Sequence, residues 1–337
     1  MSSFYVLGAR QKKGAQKLQE WSRYDEAIIA EVEPETGRTE IRLGRRTPAD
    51  HCPDDDPSFI FKAGSVQRDI LYACNLTEVL TYRLPDLTEI GCISIPCFND
   101  LHHVAPNSAG NLLVASTGLD MVIELTRDGD LVREWSALDD DPWSRFSRTV
   151  DYRKVPTTKP HYAHPNFVFE IDGEPWTTRF VQRDAVCLLD KRKRIELGLH
   201  STIPLGGESG GPHDGVRFGD FVYFTRVDGF VFVADARSHK VIEVVDLNPI
   251  GPRERNLGWC RGIHVVDEKR VIVGFTVIRP TKHRENLQWL KSVVTGGKAG
   301  SYPTRIALYD LSRRELVWEH VMQDAGVNAI FSIHPAR

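Results

Sequence analysis

The stretch NDLHHVAPNSAGNLLVASTGLDMVIELTRDGDLVREWS, Asn99 to Ser136, decides the fold. Its polar head, Asn99-Asp100, leads into a short strand, His102 to Ala105, and Asn107 to Gly110 supplies turn residues. A second strand follows over Asn111 to Thr117 and a third over Met121 to Thr126. Asp128-Gly129 makes a tight turn before a fourth, Leu131 to Ser136. Short period-2 strands joined by Gly, Asp and Asn turns read as one antiparallel meander.

The head recurs as His164-Pro165-Asn166-Phe167-Val168-Phe169, His213-Asp214-Gly215-Val216-Arg217-Phe218 and Cys260-Arg261-Gly262-Ile263-His264-Val265. A phrase returning roughly every 50 to 60 residues marks a repeat architecture. A second meander reads Phe59 to Gly64, Asp69 to Cys74, Val79 to Arg83 and Glu89 to Ile93. A fourth reads Phe167 to Ile171, Pro175 to Phe180, Ala185 to Leu189 and Ile195 to Leu199, and a fifth Gly215 to Phe218, Phe221 to Arg226, Phe230 to Asp235 and Val241 to Asp246. The sixth is Ile263 to Val266, Val271 to Thr276, Arg305 to Tyr309 and Leu316 to His320. Phe4 to Gly8, Ala27 to Val32 and Thr39 to Leu43 are completed by Asn328 to Ile333 from the other end of the chain. The expectation is an all-β, six-bladed β-propeller, residues 1–337 as one domain, with four antiparallel strands per blade and the last strand closing the ring against the first three. Closure removes exposed sheet edges.

The 337 residues carry 41% hydrophobic and 26% charged side chains, ordinary for a globular protein with a large core. The formal charge of −3 argues against nucleic acid as main partner, since phosphate binding needs a basic surface. No apolar run reaches the ~18 residues of a membrane span, and Met1 to Glu20 lacks the apolar core of a signal peptide. Six cysteines without a CxxC pair read as free thiols in a reducing compartment. A cytoplasmic protein is expected.

Two insertions break the meanders. Residues 137–162 hold Trp143, Arg145, Phe146, Arg148, Tyr152, Arg153 and Lys154; residues 277–303 hold five basic residues against Glu285, with a candidate helix from Glu285 to Val293. Long inserts in compact domains are usually lids or disordered segments, and basic lids over a central mouth would favour a small anionic substrate.

At the strand heads the chain resembles the six-bladed propeller group that includes gluconolactonases and senescence-marker-protein-type lactonases, with strictosidine-synthase-like propellers more distant. Asn99-Asp100, Pro165-Asn166 and His213-Asp214-Gly215 are similar to that group's Asn-Asp, Pro-Asn and Pro-Asp-Gly heads, in order and one blade apart. The resemblance implies a divalent metal held by Asn and Asp, and hydrolysis of a lactone or ester. The group's metal-binding Glu has no match; Asn328 stands nearest.

The histidines are this chain's own feature. In a radial repeat, strand heads converge on one axis, so His102 or His103, His164, His213 and His264 become neighbours. Strand residues two apart share a face at about 6.6 Å, which pairs His164 with His213 and sets His103 with His264 a tier deeper, unless His102 takes the place of His103. Several imidazoles would favour Fe²⁺, Zn²⁺, Mn²⁺ or Cu, and oxygen ligands Ca²⁺ or Mg²⁺, with Asn166 assisting. Central histidines bonded to backbone or water, and a catalytic histidine acting without metal, are the metal-free alternatives. Asp100 or Asp214 would do proton work, while Arg261 and Tyr162 would orient substrate. Gly207-Glu208-Ser209-Gly210-Gly211 fits G-x-S-x-G, but proline and a strand follow where a nucleophile elbow needs a helix. The leading expectation is a metal-dependent enzyme acting on a small anionic metabolite by lactone or ester hydrolysis. The alternatives are a lyase or oxygenase at a histidine-bound metal, and a non-catalytic propeller that binds a ligand or protein.

Overall fold

The inner strand runs of this chain bury both of their faces, and the fold is the consequence. Phe4-Tyr5-Val6-Leu7 shows the rule: Phe4 and Val6 join the core on one side of their sheet, Tyr5 and Leu7 the core on the other. Alternate side chains leave a strand on opposite faces, so a continuous apolar run suits a sheet sandwiched between two others. The computed structural model describes residues 2–15, 18–198, 210–251, 257–278 and 302–336. The insert over 277–303, its candidate helix and Ser209 fall almost wholly outside the described residues.

The strands form six four-stranded antiparallel sheets, each a blade. The innermost strands are Ala329–Pro335 in blade 1, Gly64–Gln67 in blade 2, Leu101–Pro106 in blade 3, Pro165–Ile171 in blade 4, Pro212–Phe218 in blade 5 and Trp259–Asp267 in blade 6. Each touches the inner strand of the next blade, and the ring closes between Ala329–Pro335 and Gly64–Gln67. Six apolar clusters fill the seams between neighbouring blades. The C-terminal strand pairs antiparallel with Phe4–Gln11, so the two chain ends share blade 1.

Two expectations need correction. Most inner strands begin earlier than the apolar pattern indicated: blade 5 starts at Pro212 rather than Gly215, and blade 4 at Pro165 rather than Phe167. Blade 2 differs the other way, its inner strand starting at Gly64, where Phe59 to Gly64 was expected. There Phe59 and Phe61 donate backbone hydrogen bonds to Tyr24 and Gly8 of blade 1, while Ile60 and Phe61 sink into the core. The six cysteines are free thiols. No helix among the described residues is long and apolar enough to cross a membrane.

The 137–162 insert folds onto the molecule. Trp143, Phe146 and Val155 pack on the core between blades 2 and 3, and Tyr152 is buried in it. Asn99 holds the segment, donating from Nδ2 to the carbonyls of Tyr152 at 2.8 Å and Val155 at 2.7 Å. Its arginines and Lys154 are spent locally: Arg145 on Asp120 and Asp140, Arg148 on Glu134, Arg153 on Asp151 and Lys154 on Asp54.

Ring closure depends on close backbone approach at Gly8, where a Cβ would stand 1.8 Å from the carbonyl oxygen of Ala329. Gly8→Ala should therefore destabilise the protein by about 2 kcal/mol or more, measured by denaturant unfolding. An unchanged midpoint would contradict this account of the seam.

Candidate functional site

Each inner strand carries one extra residue at its head. In blade 3 Leu101 pairs with Ser116 and His103 with Ala115, so His102 is bulged out. The same shift falls within Pro165–Val168 in blade 4, Pro212–Gly215 in blade 5 and Arg261–Ile263 in blade 6, and leaves Phe331 extra in blade 1. In blade 2, Lys62 donates to Cys74 while Gly64 pairs with Ala73, which bulges Ala63. A bulge bends a strand and re-aims a side chain, and here the re-aimed residues meet at the axis.

Side chains at the ends of the second strands of blades 2 to 6 pin these bulges. Thr178 Oγ1 accepts from the Phe167 amide at 3.0 Å, and Thr225 Oγ1 from the Asp214 amide at 3.3 Å. Ser116 Oγ accepts from Asn99, and Cys74 Sγ donates to the Ala63 carbonyl at 3.1 Å. Thr276 Oγ1 reaches the next blade, accepting from Ile330 at 2.9 Å. At His164, whose φ is +56°, the Asp120 carboxylate accepts the amides of Tyr162, Ala163 and His164 at 2.7–2.9 Å. A left-handed histidine is uncommon; three hydrogen bonds to one carboxylate hold it.

Two tiers result. In the upper one, at the strand heads, the His102 ring centroid lies 5.0 Å from that of His164 and 5.6 Å from that of His213. His161 joins them, its Nδ1 2.7 Å from Nδ1 of His164. His102 Nδ1 donates to the Asp100 carbonyl at 2.8 Å, and His213 Nδ1 to Asp214 Oδ2 at 2.8 Å. Those bonds fix the tautomer and leave Nε2 of both rings as the lone-pair nitrogen. Lys62, completely buried, pairs with Glu20 at 2.8 Å and Asp100 at 3.3 Å. Phe331 forms the floor: its ring lies 5.7 Å from that of His213, with Lys62 Nζ at 4.6 Å and Arg261 Cζ at 4.4 Å from its centroid.

The lower tier lines a cavity of about 440 Å³ with His103, His264 and His334. His103 is fully engaged: Nε2 donates to the Gly64 carbonyl at 3.1 Å, and Nδ1 accepts from Val168 at 3.4 Å. His264 packs on Phe4, and His334 bonds to Ser332 Oγ. His102 thus stands with His164 and His213, and His103 with His264. Asn166, wholly buried, donates to the Pro212 carbonyl at 3.1 Å. Tyr162 does not join the cluster; it is 56% exposed and its ring lies 5.1 Å from Arg145 Cζ. Lys62, Phe331, Asp120 and His334 escaped the sequence reading, although Ser or Thr recurring at the end of second strands was a visible signal.

Burial governs the protonation states. It pushes the His102 and His164 imidazoles well below the ordinary value, and neighbouring positive or imidazole groups add to this. His213 is lowered too, by burial first, against the opposing pull of Asp214. Burial raises the Asp100 carboxyl, but Lys62 and His102 overcome it and hold it below the carboxylate range. Lys62 is raised, because Glu20 and Asp100 outweigh its desolvation. The upper tier is therefore neutral imidazoles beside compensated charges.

Neutral imidazoles whose Nδ1 is bonded to a carbonyl or carboxylate have the chemistry of metal ligands. Their spacing does not close on one ion. Among the described residues, the group of three donor atoms within 4.8 Å of one another is His51, Glu78 and Cys92. That group lies between the link from blade 1 and the outer part of blade 2, where the Arg45 guanidinium already bonds to Glu78. The axial residues as placed do not fit a single metal ion.

No protein-family model matches the chain, and no curated protein matches it significantly. Among solved structures it is similar to a Bacteroides caccae protein of unknown function, with TM-score 0.60, 14% identity and full coverage of both chains. It is also similar to a chain of the nidogen/laminin complex, with TM-score 0.53 and 10% identity over 99% of this chain and 98% of that one. A candidate 6-phosphogluconolactonase of Bacteroides uniformis aligns at TM-score 0.46 and 14% identity, over 92% of this chain and 79% of that one. The first two likenesses concern the fold alone.

The buried imidazoles make stability depend on pH. Burial lowers His103 to about 4 and His334 to about 3. Below the ordinary 6.5 the unfolded chain binds protons that the folded chain refuses, so stability present above pH 6.5 is lost as pH falls towards 4. For His103 alone the shift corresponds to on the order of 3 kcal/mol. The unfolding midpoint should fall steadily from pH 6.5 to 4.5, less steeply in His334→Gln; a flat profile would refute the assignment.

Proposed function

We propose that the strand-head end of the channel is the active site of an enzyme that hydrolyses esters or lactones of small, anionic molecules by general base catalysis. The observation that carries this reading is the His213–Asp214 pair, hydrogen bonded at 2.8 Å, with Nε2 of His213 left as the basic nitrogen. Asp214 is itself fixed, since its Oδ2 also accepts the Gly262 amide at 2.8 Å. A carboxylate that orients an imidazole and stabilises its protonated form is what a general base needs.

In this scheme His213 Nε2 takes a proton from water as the water oxygen attacks the substrate carbonyl. The tetrahedral intermediate collapses with loss of the alkoxide, which recovers a proton from the imidazolium. Arg261, close enough to His213 to contribute to its lowered pKa, supplies positive charge for the substrate's anionic group or the developing oxyanion. Lys62 is held by Glu20 and Asp100 and sets the field rather than binding directly.

The test is turnover of a panel of small lactones and aryl esters, with and without a carboxylate. His213→Ala should lower kcat/KM by about 10²-fold or more, and Asp214→Asn should lower it while the fold is retained. The acid limb of kcat/KM should lie below pH 6.5, because burial holds His213 under its ordinary value. Chelators should leave the rate unchanged. Loss on chelation with recovery on adding a divalent metal would instead show the imidazoles closing on an ion. No turnover of any substrate, or an unaffected His213→Ala, would overturn the reading in favour of a binding propeller.

A further inference from the structure

The proton of His164 is not settled by its own contacts, because the partner of its Nδ1 is another imidazole. His161 Nδ1 and His164 Nδ1 lie 2.7 Å apart, and one of them must donate to the other. The chain of hydrogen bonds beyond His161 decides which. His161 Nε2 lies 3.3 Å from Thr158 Oγ1. The Thr158 hydroxyl has a single proton and donates it to the Gly118 carbonyl, with Asn99 Oδ1 at 3.4 Å as a second oxygen acceptor. Asn99 presents that oxygen because its Nδ2 is engaged with the carbonyls of Tyr152 and Val155.

With its proton committed, Thr158 can only accept from His161, which places the His161 proton on Nε2. Burial holds both imidazoles below their ordinary value, so each ring carries one proton and one lone pair. His161 Nδ1 is then the acceptor and His164 Nδ1 the donor. Nε2 of His164 is left as a lone-pair nitrogen. One turn of blade 3 controls both the backbone and the proton of this histidine. The turn Thr117–Leu119 is capped by Asp120, whose carboxylate accepts the His164 amide, while the Gly118 carbonyl begins the chain that sets the tautomer. Gly118 is itself fixed, its amide donating to the Asn99 carbonyl at 2.9 Å.

The consequence is chemical. His102 and His213 keep Nε2 as a lone pair too, through the bonds from Nδ1 to Asp100 and Asp214. All three rings therefore accept through Nε2 and none donates. The His164 ring centroid is 5.0 Å from that of His102, which in turn contacts His213. A His164 with its proton on Nε2 would set a donor among these acceptors and compete with the attacking water for their lone pairs. We propose that Thr158 and His161 are positioning residues of the hydrolytic site: they hold the His164 proton on Nδ1 and so keep the three imidazoles able to accept from the attacking water. This inference rests on the hydrolytic reading above.

Histidine ¹⁵N–¹³C correlation NMR on the full chain near neutral pH reads the tautomers, with the two rings assigned through His161→Gln and His164→Gln. In the wild-type protein His164 should carry its proton on Nδ1 and His161 on Nε2. Thr158→Val keeps the side-chain shape and removes the acceptor, so both rings should move to mixed tautomers. In that variant kcat on the lactone or ester turned over should fall about tenfold, with KM nearly unchanged. Thr158→Ser restores the hydroxyl and should return both readouts to the wild-type result. Unfolding midpoints confirm that the variants fold; should Thr158→Val fail, His161→Phe, read at His164, takes its place. A proton on His164 Nε2 in the wild type, unchanged tautomers in Thr158→Val, or shifted tautomers with unchanged kcat would each overturn the inference. A wild-type protein that turns over nothing overturns the hydrolytic reading and the role built on it together, whereas turnover that Thr158→Val leaves intact overturns this inference alone.

Discussion

Hydrogen bonds across every seam between blades, made at or beside the strand-head bulges, hold the centre of this protein together. Gly64 donates to Ser332 Oγ between blades 1 and 2, and Ala63 to the His102 carbonyl between blades 2 and 3. Thr117 donates to the Pro165 carbonyl, Asn166 to that of Pro212, and Gly262 to Asp214 Oδ2. Thr276 and Ile330 close the circuit between blades 6 and 1. A bulge frees backbone groups that a regular ladder would consume, and buried groups must find partners elsewhere. Here the freed groups bind the next blade, so the feature that aims a side chain at the axis also joins the ring.

That coupling explains why so many ionisable groups tolerate burial. Lys62 would be prohibitively costly alone, yet Glu20 and Asp100 flank it. Asp214 is held by an imidazole and an amide. The histidines solve the problem differently, by giving up their charge, and a neutral imidazole needs only one donor and one acceptor satisfied. The result is a channel whose polarity is arranged by hydrogen bonds rather than by net charge, with Phe331 dividing it.

Much of this was legible in the sequence because the bulge is repeated. Asn99-Asp100, Pro165-Asn166 and His213-Asp214 look alike for the reason that each begins an inner strand with the same irregularity. The apolar alternation then gives the four strands of each blade. The tiering of His164 with His213, apart from His103 with His264, followed from the two-residue period. What stayed hidden were residues whose role comes from a neighbouring blade. Lys62 reads as one basic residue in an apolar run, and only the arrival of Glu20 and Asp100 makes it an axial charge. Phe331 looks like any core phenylalanine until its bulge turns it into a partition. Where Tyr162 lies was not legible either, because the Asp120 clamp that seats His164 leaves the tyrosine outside, on Arg145. In the insert at 137–162, likewise, the acids that Arg145, Arg148 and Arg153 meet become visible only in the fold.

If the seam hydrogen bonds orient the imidazoles, each ring must carry its proton on a specified nitrogen. Histidine ¹⁵N–¹³C correlation NMR at neutral pH, with resonances assigned through single His→Gln variants, reads this directly. His102 and His213 should be neutral with the proton on Nδ1, and His103 neutral with the proton on Nε2. Protonated rings at these positions, or His213 carrying its proton on Nε2, would contradict the account.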